Sequence, residues 1–387
     1  MIPYSKQKIH QDDIAAVTKI LKSDYLTQGP TVIQFEQAIK SYVNSDYAIA
    51  VNSATSGLHI ACLALGLSKG DIVWTSPISF VASANCALYC SASIDFVDID
   101  KETFNISMQA LALKLEKAKK LNKLPKIIIP VHMAGQSAEM KKLFLLSKKY
   151  GFKIIEDASH AIGGEYRKKK IGSCQYSHAC VFSFHPVKII TTFEGGLVTT
   201  NSKEIAKRMA AHRSHGIVTS GFHNESEGPW YYEQQYMGFN YRMSEVEAAL
   251  GLSQFKKLDK FVKKRNQLAT SYNRLFKNID YIETPQVNDI NLSTFHLYIL
   301  RFTRNTELRN FIFRRLRLEG YFVNIHYIPI YRQPYYSRFN FNKKDFLHAE
   351  TYYSEALSIP LHPGITLKEQ KKIFKIITEV PGNQGIF

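Results

Sequence analysis

The 387-residue chain lacks the cysteine patterns of a disulfide framework or a zinc site. Its five cysteines are an odd number, and no two of them form a CxxC pair. No run approaches the ~20 apolar residues of a membrane-spanning helix. The first residues, MIPYSKQKIHQDD, contain no apolar segment like that of an export signal. We therefore expect a cytoplasmic protein without a membrane span, a disulfide framework or a bound metal.

The excess of positive charge, +17 at pH 7, is not gathered into a nucleic-acid-binding module. The longest basic run is Arg167 to Lys170, and no basic segment is interleaved with aromatic residues. A nucleic-acid-binding module stays an alternative that rests on charge alone, and we expect no nucleic-acid partner. A phosphorylated small substrate, or a generally basic host proteome, explains the charge as well.

Apolar strand-like runs alternate with helical patterns about six times before residue 200, and no internal repeat interrupts them. This alternation is typical of a mostly parallel sheet covered by helices on both faces. The length favours two domains, which we place at residues 1–250 (α/β) and 251–387 (a smaller α+β domain). From Ser244 to Phe276 the apolar spacing predicts one helix of about 33 residues that bridges them.

The stretch from Val181 to Gly196, VFSFHPVKIITTFEGG, places Lys188 between a buried strand and a glycine-bounded turn. Desolvation there lowers the pKa of an amine, and an unprotonated amine can attack a carbonyl to form a Schiff base. We interpret Lys188 as the anchor of pyridoxal phosphate (PLP). The alternative is an ordinary strand and loop whose lysine extends to water.

Three further segments supply what PLP needs, although each alone has an ordinary structural explanation. Asn52–Gly57, NSATSG, joins a strand to a helix and could cradle a phosphate, or could simply cap the helix. Phe80 offers a flat apolar face. Asp157 directly follows an apolar strand and could keep a pyridine nitrogen protonated, or could be a turn residue. Four such features at strand ends on one sheet edge favour the PLP site.

With these segments in order, the chain resembles the DegT/DnrJ/StrS-type sugar aminotransferases over nearly its whole length. The resemblance implies a large domain of the aspartate-aminotransferase type (fold type I), with a mostly parallel seven-stranded sheet. The matching segments are NSATSGL, TSPISFVASAN, EDASHAIGG, VFSFHPVKIITTFEGG, RSHG and GFNYRMSEVEAALGLSQ.

The resemblance also implies roles at the ring of the cofactor. Lys188 forms the covalent bond to PLP, and Asp157 pairs with the pyridine nitrogen. His160 approaches the 3-hydroxyl group, and Phe80 stacks on the ring.

At the phosphate of the cofactor, the resemblance implies contacts from Ala54, Thr55 and Ser183. It places Asn240 at the phosphate of the neighbouring subunit. The active unit would therefore be a homodimer with shared active sites.

The amino-terminal PYSKQ…YLTQGP and the carboxyl-terminal VNIHYIPIY resemble the pseudaminic-acid branch of the family. That branch implies transfer of an amino group from L-glutamate to C4 of a UDP-4-keto-6-deoxy-N-acetylhexosamine. The residues expected at the sugar nucleotide are Tyr4, Leu26, Thr27, His326 and Tyr327.

One departure from the family pattern is Phe193, where a small residue is usual before Glu194-Gly195-Gly196. It leaves the same chemistry on another UDP-, dTDP- or GDP-linked 4-keto sugar as an alternative. A PLP-binding regulator without turnover is the alternative from a different class, which the presence of Lys188 and Asp157 disfavours.

Overall fold

A seven-stranded β-sheet forms the centre of the computed structural model, which describes residues 1–303 and 306–379. The strands, in chain order, are β1 (Ile2–Pro3), β2 (Tyr47–Val51), β3 (Ile72–Thr75), β4 (Ser93–Phe96), β5 (Ile127–Ile129), β6 (Lys153–Asp157), β7 (Glu165–Tyr166), β8 (Lys169–Lys170), β9 (Ala179–Ser183), β10 (Gly196–Thr200), β11 (Ile217–Val218), β12 (Glu233–Gln234), β13 (Ile282–Glu283), β14 (Asn291–Leu292), β15 (Tyr298–Phe302), β16 (Tyr321–Phe322) and β17 (Ala356–Ile359).

The central sheet has the order β2-β10-β9-β6-β5-β3-β4. Strand β10 runs antiparallel to both of its neighbours, and the other pairings are parallel. The predicted seven-stranded, mostly parallel sheet is therefore confirmed.

Helices cover both faces of this sheet and form much of the carboxyl-terminal part. They are α1 (Gln11–Leu21), α2 (Pro30–Val43), α3 (Ala54–Ala64), α4 (Ala82–Tyr89), α5 (Met108–Lys120), α6 (Met140–Tyr150), α7 (Lys203–Arg213), α8 (Glu245–Phe255), α9 (Leu258–Phe276), α10 (Thr306–Leu318), α11 (Leu347–Glu355) and α12 (Leu367–Thr378). None of the helices within the described ranges is long and apolar enough to cross a bilayer.

The strands of the sheet are buried on both faces, which explains their continuous apolar runs. Every residue of β9 is buried. Because successive side chains point to opposite faces, Val181 packs in one hydrophobic cluster and Phe182 in another on the far side. This burial fixes the register of β9, and so the position at which the chain leaves the sheet before Lys188.

The prediction of one helix from Ser244 to Phe276 is wrong, because α8 ends before Lys256 and α9 begins after Lys257. Lys257 has φ −107° and ψ −2°, and its N–H donates to the Gln254 carbonyl three residues back. The ammonium of Lys257 contacts both Asp12 and Asp13 on α1 at 2.7 Å. No glycine or proline marks this break; a tertiary ion pair accompanies it.

The second of these helices, α9, nevertheless joins two cores. Phe261 and Val262 pack with the central sheet, whereas Leu268 and Phe276 pack with the carboxyl-terminal strands β13, β15 and β17. The first strand of the chain, β1, pairs in parallel with β16. The division at residues 250 and 251 stays a prediction.

Candidate active site

A cavity of about 590 Å³ opens at the carboxyl ends of β6 and β9. Ligands of open α/β sheets bind at such strand ends. Most of the residues expected from the sequence line this one cavity, namely Tyr4, Ala54, Thr55, Phe80, Asp157, His160, Ser183, Lys188, His326 and Tyr327.

Lys188 lies in a turn that is closed by hydrogen bonds of its own segment. Its backbone N–H donates to the His185 carbonyl at 2.9 Å, and the Thr191 hydroxyl donates to the Phe184 carbonyl at 2.9 Å. The half-buried side chain faces the cavity. Burial lowers the pKa of its amine to about 8, against a smaller opposing effect of the Asp157 carboxylate. Near neutral pH, a larger share of this amine is unprotonated than in a surface lysine.

Asp157 ends β6 with both carboxylate oxygens engaged. The Ser83 hydroxyl donates to Oδ2 at 2.6 Å, and the backbone N–H of Ser159 donates to Oδ1 at 3.1 Å. The Ser79 hydroxyl lies 2.7 Å from that of Ser83. We did not predict either of these serines from the sequence. Their spacing of four residues in SFVAS was the available signal, since Ser83 lies in the first turn of α4 and Ser79 lies three residues before that helix begins.

His160 presents a buried nitrogen that has no hydrogen-bond partner among the described residues. Its Nε2 lies 3.2 Å from the Tyr327 hydroxyl, and its Nδ1 is the unpartnered atom. Burial, followed by the charge of Lys188, holds the pKa of His160 well below its usual value. The same two causes lower the pKa of His326 to about 3. Two neutral imidazoles therefore line the cavity together with the Lys188 amine, and Nδ1 of His160 is available to a polar group of a ligand.

The amino end of α3 forms a further part of the cavity wall. The Ser53 hydroxyl caps the helix by accepting from the Ser56 N–H at 3.1 Å. Ala54 and Thr55 follow in the first turn, whose N–H groups have no intrahelical acceptor. A Cβ on Gly196 of β10 would lie 2.5 Å from the Ala54 nitrogen, so only glycine allows this approach. A helix terminus held in this way attracts an anion such as a phosphate.

Three of the expected residues lie away from the cavity. Leu26 and Thr27 are exposed on the segment before α2, and Asn240 is exposed beside Ser214, with which it forms a backbone bridge. Phe193 is also outside the lining and has a φ of +70°, in the left-handed region that favours glycine.

The donor set therefore fits PLP. An amine of lowered pKa faces a carboxylate, a helix terminus suits the phosphate, and Nδ1 of His160 suits the 3-hydroxyl group. A lysine of lowered pKa, a carboxylate and a helix terminus in one cavity at the carboxyl ends of the strands are the site expected of a lysine-dependent PLP enzyme of the α/β class.

The chain belongs to the DegT/DnrJ/EryC1/StrS aminotransferase family, whose model matches residues 7–378. It is 40% identical over 385 residues to the UDP-4-amino-4,6-dideoxy-N-acetyl-beta-L-altrosamine transaminase of Campylobacter jejuni, and 98% of each chain is covered. Its structure is similar to that of Helicobacter pylori PseC, an aminotransferase of pseudaminic acid biosynthesis, with a TM-score of 0.88, 34% identity and coverage of 97% and 98%. It is also similar to the PLP form of the sugar aminotransferase Spr1654 from Streptococcus pneumoniae, with a TM-score of 0.87, 25% identity and 97% coverage of both chains.

Proposed function

We propose that this aminotransferase moves the amino group of L-glutamate to C4 of a UDP-4-keto-6-deoxy-N-acetylhexosamine, with PLP bound at Lys188. The product would be UDP-4-amino-4,6-dideoxy-N-acetyl-β-L-altrosamine, a precursor of pseudaminic acid, made in the cytoplasm. The observation that carries the chemistry is that Lys188 and Asp157 line one cavity together with the amino end of α3. The named function of the Campylobacter jejuni relative supports the substrate.

When bound, PLP supplies an aldehyde that holds the amino group and a ring that delocalises the electron pair of a broken C–H bond. The Lys188 amine, with its lowered pKa, removes a proton from the carbon of the donor that carries the amino group. In the second half of the reaction it returns a proton to the sugar carbon that receives the amino group. The Asp157 carboxylate holds a proton on the ring nitrogen. The backbone N–H groups of Ala54 and Thr55 and the hydroxyl of Ser183 bind the phosphate.

The role of the Lys188 amine as the base and as the anchor of PLP is tested by Lys188→Ala. We expect this variant to lose turnover and the visible absorption band of a lysine-bound cofactor, roughly at 400–430 nm. Lys207→Ala is the matched control, since Lys207 is exposed on α7, and it should retain both. Full activity of Lys188→Ala would refute the role of this amine.

The substrate is tested separately, because the same chemistry on another sugar nucleotide is the nearest alternative. Protein loaded with amino groups from L-glutamate is mixed with UDP-, dTDP- and GDP-linked 4-keto sugars, and the loss of the amino group is followed. We expect the UDP-4-keto-6-deoxy-N-acetylhexosamine to react fastest. A preference for another sugar would exclude the proposed substrate, and no consumption of any amino donor would favour a PLP-binding regulator.

A further inference from the structure

A second cavity, of about 440 Å³, lies between the amino-terminal segment and the first turns of α9. Its lysines are Lys8, Lys257, Lys260, Lys263 and Lys264. We propose that this lysine cavity binds a nucleoside diphosphate at a site separate from the catalytic one. The two cavities have no lining residue in common.

The charge of the lysine cavity is poorly compensated by the protein itself. Lys257 is neutralised by Asp12 and Asp13, which its ammonium contacts at 2.7 Å. The other four lysines have no carboxylate within 4 Å among residues 1–303 and 306–379. Asp12 is the one acid among the lining residues. Ammonium groups held together in this way repel one another, and a ligand with several negative charges relieves that repulsion.

The arrangement on α9 concentrates this charge on one side of the helix. Lys260, Lys263 and Lys264 are three and four residues apart, so their side chains leave the same face. Lys8 approaches from the amino-terminal segment, whose Lys8 carbonyl accepts a hydrogen bond from the Gln254 side chain at 3.1 Å. Lysines from two separate segments therefore line one cavity and can share the charge of two linked phosphates.

The rings of His10, Phe261 and Pro363 line the lysine cavity beside the lysines. Phe261 is 5% exposed, and the half-buried His10 ring lies parallel to it, with centroids 6.3 Å apart and planes 15° apart. Pro363 adds a further apolar wall. The volume lies in the range of ligand pockets and exceeds what an inorganic phosphate fills. We therefore assign the ligand as a nucleoside diphosphate, whose ring lies against His10 and Pro363.

The lysine cavity adjoins the turn of Lys188 through two short links. Arg265, next to Lys264, is buried and donates to the Ser5 hydroxyl at 3.2 Å. Ser5 donates in turn to the Val187 carbonyl at 2.7 Å. A ligand held by Lys8 and Lys264 would contact the segment and the helix that support the catalytic lysine.

The site is tested by chemical protection of its lysines in the PLP-loaded protein. Lysines are labelled with a limiting amount of an amine-reactive ester in the presence of UDP, of inorganic pyrophosphate or of uridine. The labelled peptides are then quantified by mass spectrometry. We expect UDP to reduce labelling of Lys260, Lys263 and Lys264 several-fold, and pyrophosphate to reduce it less. Exposed Lys117 and Lys120 on α5 are internal controls and should label equally throughout. Protection no greater than at these controls would overturn the proposal, and equal protection by pyrophosphate would overturn the assignment of a nucleoside.

Paired variants separate this site from the catalytic cavity, which would also accept UDP. Lys260→Gln with Lys263→Gln removes two charges three residues apart on α9. Lys117→Gln with Lys120→Gln removes two equally spaced, exposed charges on α5. By equilibrium titration, we expect the α9 pair to lose one UDP-binding event, with affinity weakened about tenfold or more, and the α5 pair to retain it. Equal stoichiometry and affinity in both pairs would show that UDP binds only at the catalytic cavity, which contradicts the proposal whether or not the proposed transamination is correct.

Discussion

At the scale of single residues, the environment of Asp157 depends on the two serines that precede and begin α4. An ionised carboxylate only accepts hydrogen bonds, so Ser83 must donate to it. The hydroxyl of Ser79 then donates to Ser83, because the single proton of Ser83 is already engaged. This relay, together with the N–H of Ser159, fixes the orientation of the carboxylate relative to the cavity.

Ser83→Ala should therefore slow turnover without unfolding the protein. A hydrogen bond to a charged group contributes about 1.5–3 kcal/mol, so we expect kcat to fall roughly 10- to 100-fold. Ser79→Ala, which leaves the Ser83–Asp157 hydrogen bond in place, should have a smaller effect. Steady-state kinetics and the pH profile of the visible cofactor band measure both variants. An unchanged kcat in Ser83→Ala would remove this serine from the positioning of Asp157.

The lowered pKa of Lys188 predicts a pH dependence for loading of the protein with PLP. Burial moves the pKa of the amine from 10.5 to about 8, so about half of the amine is in the reactive, unprotonated form near pH 8 and nearly all of it one to two pH units higher. We expect the rate of PLP uptake by cofactor-free protein to be half-maximal near pH 8 and to level off about 1–2 pH units above it. Stopped-flow absorbance measures this rate. A rate that keeps rising toward pH 10.5 would indicate a lysine that is not desolvated.

At the scale of elements, the phosphate cradle depends on how closely β10 approaches α3. A Cβ at Gly196 would lie 2.5 Å from the Ala54 nitrogen and 2.6 Å from the Ser53 carbonyl carbon. Both are backbone atoms, which cannot turn aside like the end of a flexible side chain. Gly196 is thus a requirement of packing, and the sequence pattern EGG alone does not reveal which atoms it must avoid.

Gly196→Ala should displace the amino end of α3 from the sheet. Overpacking of this kind costs about 1–3 kcal/mol of folding free energy, and we expect PLP affinity to fall at least about tenfold. Gly364→Ala is the control, since its Cβ would meet only the His362 side chain at 3.2 Å. Cofactor titration and thermal unfolding distinguish the two variants. Equal PLP affinity in both would contradict the proposed cradle.

How far the sequence predicted these elements depended on whether the signal was local. The strand before Lys188 and the cap of α3 were predictable, because continuous apolar runs and Ser/Thr/Gly turns are local patterns. The break between α8 and α9 was not, since it accompanies contacts of Lys257 with α1, more than 240 residues earlier in the chain. The hydrogen bond from Ser83 to Asp157 was missed for the same reason.

At the scale of the whole molecule, the cavity of one chain has few cations for the phosphates that it is proposed to bind. Lys188 is the one lysine or arginine in its lining within the described ranges, whereas Asp157 and Glu194 are acidic. Large apolar side chains in the segment that precedes Asn240 in the sequence are meanwhile open to water, with Trp230 73% and Met237 81% exposed. Such exposed residues commonly mark an interface. These observations favour an active unit in which a second copy of the chain completes the site, as the resemblance implied.

Subunit mixing tests this arrangement, because it depends on which chain supplies Asn240. Neither Lys188→Ala nor Asn240→Asp should be active alone, since one lacks the amine and the other places a negative charge at the phosphate. If Asn240 acts in the neighbouring subunit, a mixed dimer contains one site with both native residues. Equal mixing makes about half of the dimers mixed, so about a quarter of the native activity should return.

A mixture of Lys188→Ala with Asp157→Asn is the matched control for this recovery. Lys188 and Asp157 line the same cavity of one chain, so no mixed dimer of these two variants contains an intact site. Activity assays after co-expression, with the dimers separated by two affinity tags, compare the pairs directly. Recovery in the Asn240 pair alone requires that the catalytic site spans two chains. If neither pair recovers, Asn240 does not contribute to the site of the neighbouring subunit, which contradicts the proposed arrangement.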